Sequence, residues 1–430
     1  MIAEKGPNTT LRTASTASQS PSPHYGQRHY AQHTSSLSSE DKRLLRCTSR
    51  SLKCSGLGVR HRFSEGVAVR GHWAGKWIRQ VFEERKSRLE FRQLSLLLHF
   101  SNHIAGEMVV IDGPHNGWRH LVLPIAHTDI VLRSAVLAVA SFHLDSRLSI
   151  DTERTFDPNH FSTSSGNGQT KASRMYASAI TSLKKMAFNP NPQSTKPTAL
   201  LCILTLLVAV MVTGSEDFPI LFGALESALE YFGGEGGLSG GEVDGFILRQ
   251  VRKMRVYAAP LLSEQDGVAT LSSQILITKG FDCIRYFSFR RPEHATSAWL
   301  AKSLNQQSYD IYLRQAARRS RTMSSGISSV AEDAESICRV QKYINTLEAF
   351  PPHSPGKQVL IWATFVAASD CILEDHKMYF QNVFLEFYQR SGFGNIQRAA
   401  EYLQVLWEQR QRSMEASWTA LLPHAKVLIM

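Results

Sequence analysis

The segment that decides the fold is ALLCILTLLVAVMV, residues 199–212, in which Thr205 is the single hydroxyl-bearing residue. A helix that is apolar around its whole circumference has to be buried. Because a membrane span needs about 20 residues, these 14 residues predict the central helix of a globular core. Pro197 is expected to open this helix, since proline fits the first helical turn.

Helical periodicity continues on both sides of this segment. Near the end of the chain, Ile396, Ala399, Ala400, Leu403, Leu406 and Trp407 form one apolar stripe. We predict further helices over residues 77–100, 125–144, 175–186, 221–232, 246–262 and 268–288. Loops are expected over 151–170 and 233–245, and a flexible link over 318–329. Since few stretches alternate as strands do, the predicted fold class is all-α, with a large multi-helix domain behind a disordered basic N-terminal region.

The charge of the chain is concentrated near its beginning. Of the net charge of +11, residues 1–100 hold +10, with 17 Lys and Arg against 7 Asp and Glu. A basic segment on a nearly neutral body favours an anionic partner such as nucleic acid, and an uncommitted basic tail is the alternative. Residues 1–40 are rich in Ser, Thr, Pro, His and Gln, so we expect this segment to be disordered.

Two motifs could suggest chemistry. Residues 237–241 satisfy the pattern G-x-S-x-G around Ser239, but glycines precede them where a nucleophile elbow needs a strand. His99 and His103 stand one helical turn apart, as metal ligands can, yet no third ligand is evident. We therefore assign no catalytic residue and predict that the chain is not an enzyme. An uncharacterised helical enzyme is the least favoured alternative.

Cys47 and Cys54 are separated by six residues in a basic region. Two thiolates supply only half of a tetrahedral zinc site, so the spacing by itself favours two unrelated surface cysteines. The other four cysteines lie in helix-like stretches, and no disulfide framework is evident, which favours a reducing compartment. Around the pair lie the bases Lys42, Arg43, Arg46, Arg50, Lys53, Arg60 and Arg62.

The residues after Cys54 change the interpretation of this pair. Residues 52–71, LKCSGLGVRHRFSEGVAVRG, resemble the segment that leaves the zinc binuclear cluster of the fungal zinc-cluster transcription factors, with Leu57 in place of a tyrosine. Residues 91–415 resemble the C-terminal fungal-specific transcription factor domain of the same family. This second resemblance is carried, in family order, by LLLHFSNHIA (96–105), DGPHNGWR (112–119), LPIA (123–126), SFHL (141–144), WATFVAA (362–368), GFGNI (392–396) and LQVLW (403–407).

The resemblance implies a nuclear transcription regulator. Its domains would be a disordered tail (1–40), a basic remnant of the zinc-cluster DNA-binding region (41–76) and a helical regulatory domain (77–430). The seven bases named above become candidates for contacts to the DNA backbone. The helical domain would mediate regulation and would bind protein partners or a second copy of the chain. No membrane is expected among its partners. The alternative is a DNA-independent interaction protein, such as a truncated dimer partner.

One departure from the family concerns the metal. The resemblance makes Cys47 and Cys54 the fifth and sixth of six cluster cysteines, yet position 44 is Leu44 and no cysteine occurs in residues 1–46. The family uses two zinc ions, and two thiolates are too few to hold them, so no cofactor is expected in this chain. Either the natural N-terminus differs from this one, which the intact segment after Cys54 favours, or specific DNA binding has been lost.

We therefore expect metal analysis of the purified chain to find no stoichiometric zinc, because the ligand set is incomplete. DNA binding should arise from phosphate neutralisation alone, so a filter-binding titration should show affinity that falls steeply with salt and does not depend on sequence. Two zinc ions per protomer, or a sequence preference that survives high salt, would contradict this interpretation.

Overall fold

The computed structural model describes residues 63–64, 67–68, 88–154, 170–186, 192–238, 240–325, 330–351, 353–412 and 417–430. The chain divides into two compact units, Met1–Glu84 and Arg85–Met430. In the first unit, strands β1 (Phe63–Ser64) and β2 (Val67–Ala68) pair antiparallel, with Phe63 opposite Ala68. The second unit is helical.

Sixteen α-helices lie in the described part of the second unit, which confirms the all-α prediction. Short π-helical turns, Phe100–Ile104 and Trp118–Val122, lie between the first two helices. The helices are α1 Arg88–His99, α2 Leu123–Thr128, α3 Ile130–Arg154, α4 Lys171–Met186, α5 Pro192–Thr213, α6 Phe218–Tyr231, α7 Gly241–Leu262, α8 Glu264–Ser272, α9 Gln274–Gly280, α10 Asp282–Arg290, α11 Ala295–Ser325, α12 Val330–Glu348, α13 Ile361–Ser369, α14 Glu374–Ser391, α15 Gly394–Arg412 and α16 Trp418–Leu421.

Helix α5 is the centre of the domain. It packs against α3, α4, α6, α7 and α15, and residues such as Leu204 and Leu207 are completely buried. By length and composition, Lys196–Thr213 could cross a membrane, but 83% of these residues are buried inside the domain. The prediction of a buried core helix is therefore confirmed. The helix begins at Pro192, earlier than predicted, and Pro197 lies inside it.

The predicted helix over residues 125–144 is in fact two helices, α2 and α3. They are separated at Asp129, whose backbone is extended. Its carboxylate accepts hydrogen bonds from the amides of Val131 and Leu132, both at 2.9 Å, and thereby caps α3. The carboxylate also accepts a hydrogen bond from Thr198 on α5, at 3.0 Å. The break consequently fixes α3 against the central helix.

Other predicted boundaries were wrong for similar local reasons. The predicted end of α7 at residue 262 is confirmed, but the single helix predicted over 268–288 is divided into α8, α9 and α10, with Ser273 capping α9. Helix α7 begins at Gly241, inside the predicted loop, and α3 continues to Arg154. Helix α11 continues to Ser325 through most of the predicted flexible link. The stripe from Ile396 to Trp407 is confirmed on the buried side of α15.

A chain of ion pairs fixes α7 to its neighbours. Arg255 on α7 pairs with Glu226 on α6 at 2.6 Å and with Glu235 at 2.9 Å. Arg252, one turn earlier, pairs with Glu235 at 2.8 Å and with Asp282 on α10 at 2.7 Å. Bidentate guanidinium–carboxylate pairs are geometrically specific, so these contacts set the position of α7 relative to α6 and α10.

The end of α5 and the start of α15 touch through two glycines. Gly214 has φ +67°, a conformation that glycine adopts without strain. A Cβ atom on Gly394 would lie 2.9 Å from the carbonyl group of Thr213. The two backbones can approach this closely only because neither glycine has a side chain.

We predict that Gly394→Ala lowers the free energy of unfolding by about 1–3 kcal/mol, because the backbones have to separate. Gly245→Ala is the matched control: it lies inside α7, and its Cβ would approach only the end of the Arg249 side chain, at 3.4 Å. This control substitution should raise the free energy of unfolding by about 0.5–1 kcal/mol, because alanine is more favourable than glycine inside a helix. Urea denaturation measures both, and equal effects would contradict the contact.

Candidate functional site

The predicted metal and DNA residues lie outside the described residues. This holds for Cys47 and Cys54, and for the candidate backbone contacts Lys42, Arg43, Arg46, Arg50, Lys53, Arg60 and Arg62. Their roles stay predictions. Within the part of the chain that the structure describes, no group of three or more His, Cys, Asp or Glu side chains is arranged to hold a metal ion.

The glycine-rich segment follows a helix. Ser239 lies outside the described residues, while a short 3₁₀ turn, Glu235–Gly237, leads towards it from α6. Lys196 donates a hydrogen bond to the carbonyl oxygen of Gly237 and lies 3.6 Å from Asp244, which in turn accepts from the amide of Gly240 at 3.0 Å. These contacts hold the segment against α5 and α7, so their role is structural.

His99 and His103 lie together on one face, with ring centroids 4.7 Å apart. A third histidine, His143 on α3, comes close, and its Nδ1 lies 2.8 Å from Nε2 of His99. His143 also donates from Nε2 to the carbonyl oxygen of Ser391, at 2.6 Å. That bond leaves Nδ1 of His143 as the acceptor, so His99 is assigned as the donor between the two rings. The two facing nitrogen atoms are therefore joined by a hydrogen bond, and they do not both point at a site for a metal ion.

Burial lowers the pKa of both of these imidazoles to about 4. Desolvation is the largest cause for each ring; for His99 the neighbouring His143 adds to it, and for His143 the nearby Arg147 does. The pair is therefore neutral at physiological pH. It joins α1, α3 and the end of α14 at one point of the core.

A polar groove of about 480 Å³ lies beside the histidines, between the segment 102–119 and the loop 351–358. Its strongest charges are already paired. Arg119 donates to both oxygens of Asp112, at 2.6 and 2.7 Å, and Arg390 donates to Glu107 at 2.9 Å. Since these ion pairs neutralise each other, the groove offers little net charge to a ligand.

A second surface groove is apolar. It has a volume of about 360 Å³; Ala199 and Ile203 of α5 form its floor, and α4 and α6 form its walls. We call it the α6 groove. Its other lining residues are Leu183, Lys184, Met186, Ala224, Ser227, Ala228, Tyr231 and Phe232. Apolar grooves between helices are the usual docking sites for an amphipathic helix.

The outer surface of α6 continues the groove. Ile220 is 75% exposed and Tyr231 is 63% exposed, although both are large apolar side chains. Gly223 is also exposed, and a Cβ placed on it would meet nothing within 4 Å. We call the exposed stripe of Ile220, Gly223, Ala224, Ser227 and Tyr231 the α6 face. It has large side chains at both ends and small ones in the middle.

An all-helical domain that exposes an apolar groove and an apolar helix face has the features of a protein-binding domain. The comparison with protein families identifies the family of the helical domain. The chain belongs to the family of the fungal-specific transcription factor domain, which it matches over residues 95–254 and 246–429. The family is one of transcription regulators and is generally non-enzymatic. Comparison with curated proteins gave no match, and neither did comparison with solved structures.

Sequence reasoning missed two parts of this region. His143 follows His99 by 44 residues, and nothing in the local pattern pairs the two. The α6 face was hidden because Leu221, Phe222, Leu225 and Leu229, on the buried side, make the whole segment look apolar. The sequence signal that could have revealed the α6 face is Ile220 together with Gly223, because both lie on the outer side of the helix, where polar residues are expected.

The histidine pair predicts a stability that depends on pH. Because the folded pKa values, about 4, lie below the unfolded value of 6.5, the unfolded chain binds more protons between these limits. The free energy of unfolding should therefore be highest above pH 6.5 and fall as the pH is lowered towards 4. We expect a loss of roughly 1–3 kcal/mol between pH 7 and pH 5.

Urea denaturation at the two pH values measures this loss. His143→Gln keeps a donor for Ser391 but removes one titrating ring, so it should reduce the difference between pH 7 and pH 5. His127→Gln serves as the control, since His127 is exposed at the end of α2. The assignment is wrong if both variants retain the full wild-type pH dependence.

Proposed function

We propose that this chain is a nuclear transcription regulator that forms a homodimer through the α6 face. Family membership supports the first part of the proposal, because the matched segments extend over nearly all of the helical unit. The spacing of residues on α6 supports the second part. A dimer would also bring two basic N-terminal segments to one DNA molecule, which raises the number of phosphate contacts and thus the affinity.

The α6 face matches itself when a second copy runs antiparallel. Helix residues rise by about 1.5 Å each, so a two-fold axis beside the peptide bond between Leu225 and Glu226 brings position 220 of one copy to position 231 of the other. Ile220 then meets Tyr231, and Ala224 meets Ser227. Large residues pair at the two ends, and small residues pair at the crossing point.

The small residues at the centre permit a close approach of the two helices. Gly223, Ala224 and Ser227 leave only short side chains between the backbones, as in other tightly packed helix pairs. Ile220 of one copy would then enter the α6 groove of the second copy, beside Tyr231. An exposed isoleucine and an apolar groove are complementary, and burying both removes apolar surface from water.

Charges at the rim agree with the same orientation. Glu216 precedes Ile220 by four residues, is 59% exposed and makes a long ion pair with Lys426 at 3.9 Å, while Lys184 is exposed on the groove wall near Tyr231. In the antiparallel pair, Glu216 of one copy approaches Lys184 of the other. Rim charges of this kind contribute mainly to specificity and to the rate of association.

We predict that Ile220→Asp weakens self-association at least about 30-fold, because the apolar anchor that enters the α6 groove is replaced by a charge. Sedimentation equilibrium on the full chain measures the effect. The matched control is Ile275→Asp on α9, since Ile275 is 70% exposed and lies outside the α6 face. A wild-type chain that stays monomeric at micromolar concentration, or equal effects of both variants, would exclude this dimer.

A cross-link tests the geometry. In a chain in which Cys47, Cys54 and the exposed Cys338 are replaced by serine, the double variant Ala224→Cys, Ser227→Cys should form disulfide-linked dimers on mild oxidation more readily than either single variant. A reporter gene distinguishes a transcription regulator from a DNA-independent interaction protein. If the chain is a regulator, the full chain tethered beside a promoter should change transcription of the reporter. Dimer formation with an unchanged reporter would favour a DNA-independent interaction protein instead.

A further inference from the structure

A narrow cavity lies inside the helical unit, against the inner side of α7. Its free volume is about 40 Å³, which is more than the roughly 10–15 Å³ that one water molecule needs. Apolar side chains form most of the wall: Met108, Val109, Val110, Met211, Ile284, Phe287, Val359 and Met430. The few polar side chains at the cavity therefore determine which ligand it could bind.

Lys253 is the cation of the cavity, and it is only 9% exposed. Its single hydrogen-bond contact is a long one, 3.5 Å from Nζ to the carbonyl oxygen of Met108. Within the described residues, no carboxylate lies within 4.0 Å of it. Glu107 also lines the cavity, but its carboxylate is paired with Arg390 at 2.9 Å.

Gln250 lies one turn before Lys253 on α7, so the two side chains project from the same side of the helix. It is 3% exposed, and its Oε1 is buried without a hydrogen-bond partner. Buried polar atoms are normally satisfied, and an exception needs a physical explanation. The cavity thus contains a weakly bonded cation and a free acceptor on adjacent turns.

The remaining polar groups at the cavity are already bonded. Gln358 donates to the carbonyl oxygens of Val109 and Val110, at 2.8 and 3.1 Å. The hydroxyl of Tyr257 donates to Asn305 at 3.1 Å, and the thiol of Cys283 donates to Gly280 at 3.4 Å. Lys253 and Gln250 are accordingly the two groups that a ligand could satisfy.

We infer that this cavity is a binding site for a small α-hydroxy acid. The carboxylate pairs with the ammonium group of Lys253, the hydroxyl donates a hydrogen bond to Oε1 of Gln250, and the short carbon chain contacts Ile284 and Phe287. This chemistry follows from the two unsatisfied groups, because one requires an anionic acceptor and the other requires a donor. The small size of the cavity restricts the ligand to the shortest members of this class.

The electrostatic situation of Lys253 agrees with this assignment. Burial lowers the pKa of its ammonium group, and the thiol of Cys283 offsets this only in part. A bound carboxylate would supply the missing countercharge and stabilise the charged form. A ligand here would also contact both α7 and the segment 107–110, so it would add a signal input to the regulator beyond its proposed dimerisation.

Lactate is the probe for the experiment, and it is added to the purified full chain at millimolar concentration. Two analogues isolate the groups of the ligand: propionate lacks the hydroxyl, and lactamide lacks the charge. Sodium chloride at equal ionic strength controls for salt. Binding to the folded state raises the midpoint of thermal unfolding, and titration calorimetry gives the affinity. We expect lactate to bind most tightly, propionate about tenfold more weakly, and lactamide not measurably.

Two variants assign the contacts. Lys253→Met keeps the length of the side chain, removes a buried charge and should fold; it should abolish lactate binding. Gln250→Leu should lower the affinity for lactate to that for propionate and leave propionate unchanged. Lys342→Met on α12, an exposed position, is the matched control and should bind lactate as the wild type does.

The inference is overturned if lactate does not bind the wild-type chain, or if lactamide binds as tightly as lactate. It is also overturned if Lys253→Met retains wild-type affinity. The comparison of ligands uses the wild-type chain alone, so the test holds even if a variant does not fold.

Discussion

The structure depends on the burial of the apolar part of α5, residues 199–212. This part has no polar side that could face water, and its one hydroxyl group bonds to its own helix: Thr205 donates to the carbonyl oxygen of Leu201 at 2.7 Å. Five other helices have to surround it, and each does so with its own apolar side. The positions of α3, α4, α6, α7 and α15 follow from this requirement, as does the glycine contact where α5 meets α15.

The two features of functional interest, the α6 face and the cavity at Lys253, lie on neighbouring helices that both pack on α5. Helix α6 packs its leucines and phenylalanines on α5 and presents the α6 face outwards, while α7 directs Gln250 and Lys253 into the interior. Arg255 joins these helices, because its guanidinium on α7 pairs with Glu226 between Ala224 and Ser227 on α6.

Membership in the fungal-specific transcription factor family concerns the helical unit, whereas the contacts to DNA predicted from the sequence lie in the basic segment before it. The division into Met1–Glu84 and Arg85–Met430 falls between these two parts. A domain of this kind regulates through what it binds. In the two proposals above, the α6 groove packs against another helix and the cavity at Lys253 binds a small anion.

The sequence by itself determined the fold class, the central helix and the buried side of α15, because these depend on apolar residues that recur at local, helical spacing. It also indicated the family, through short motifs in the right order. It missed the breaks at Asp129 and Ser273, where one capping side chain outweighs the apolar pattern around it. Only the tertiary structure brought His143 to His99, left the α6 face uncovered and enclosed Lys253 without a carboxylate. Each of these depends on which distant segments meet, and helical periodicity contains no information about that.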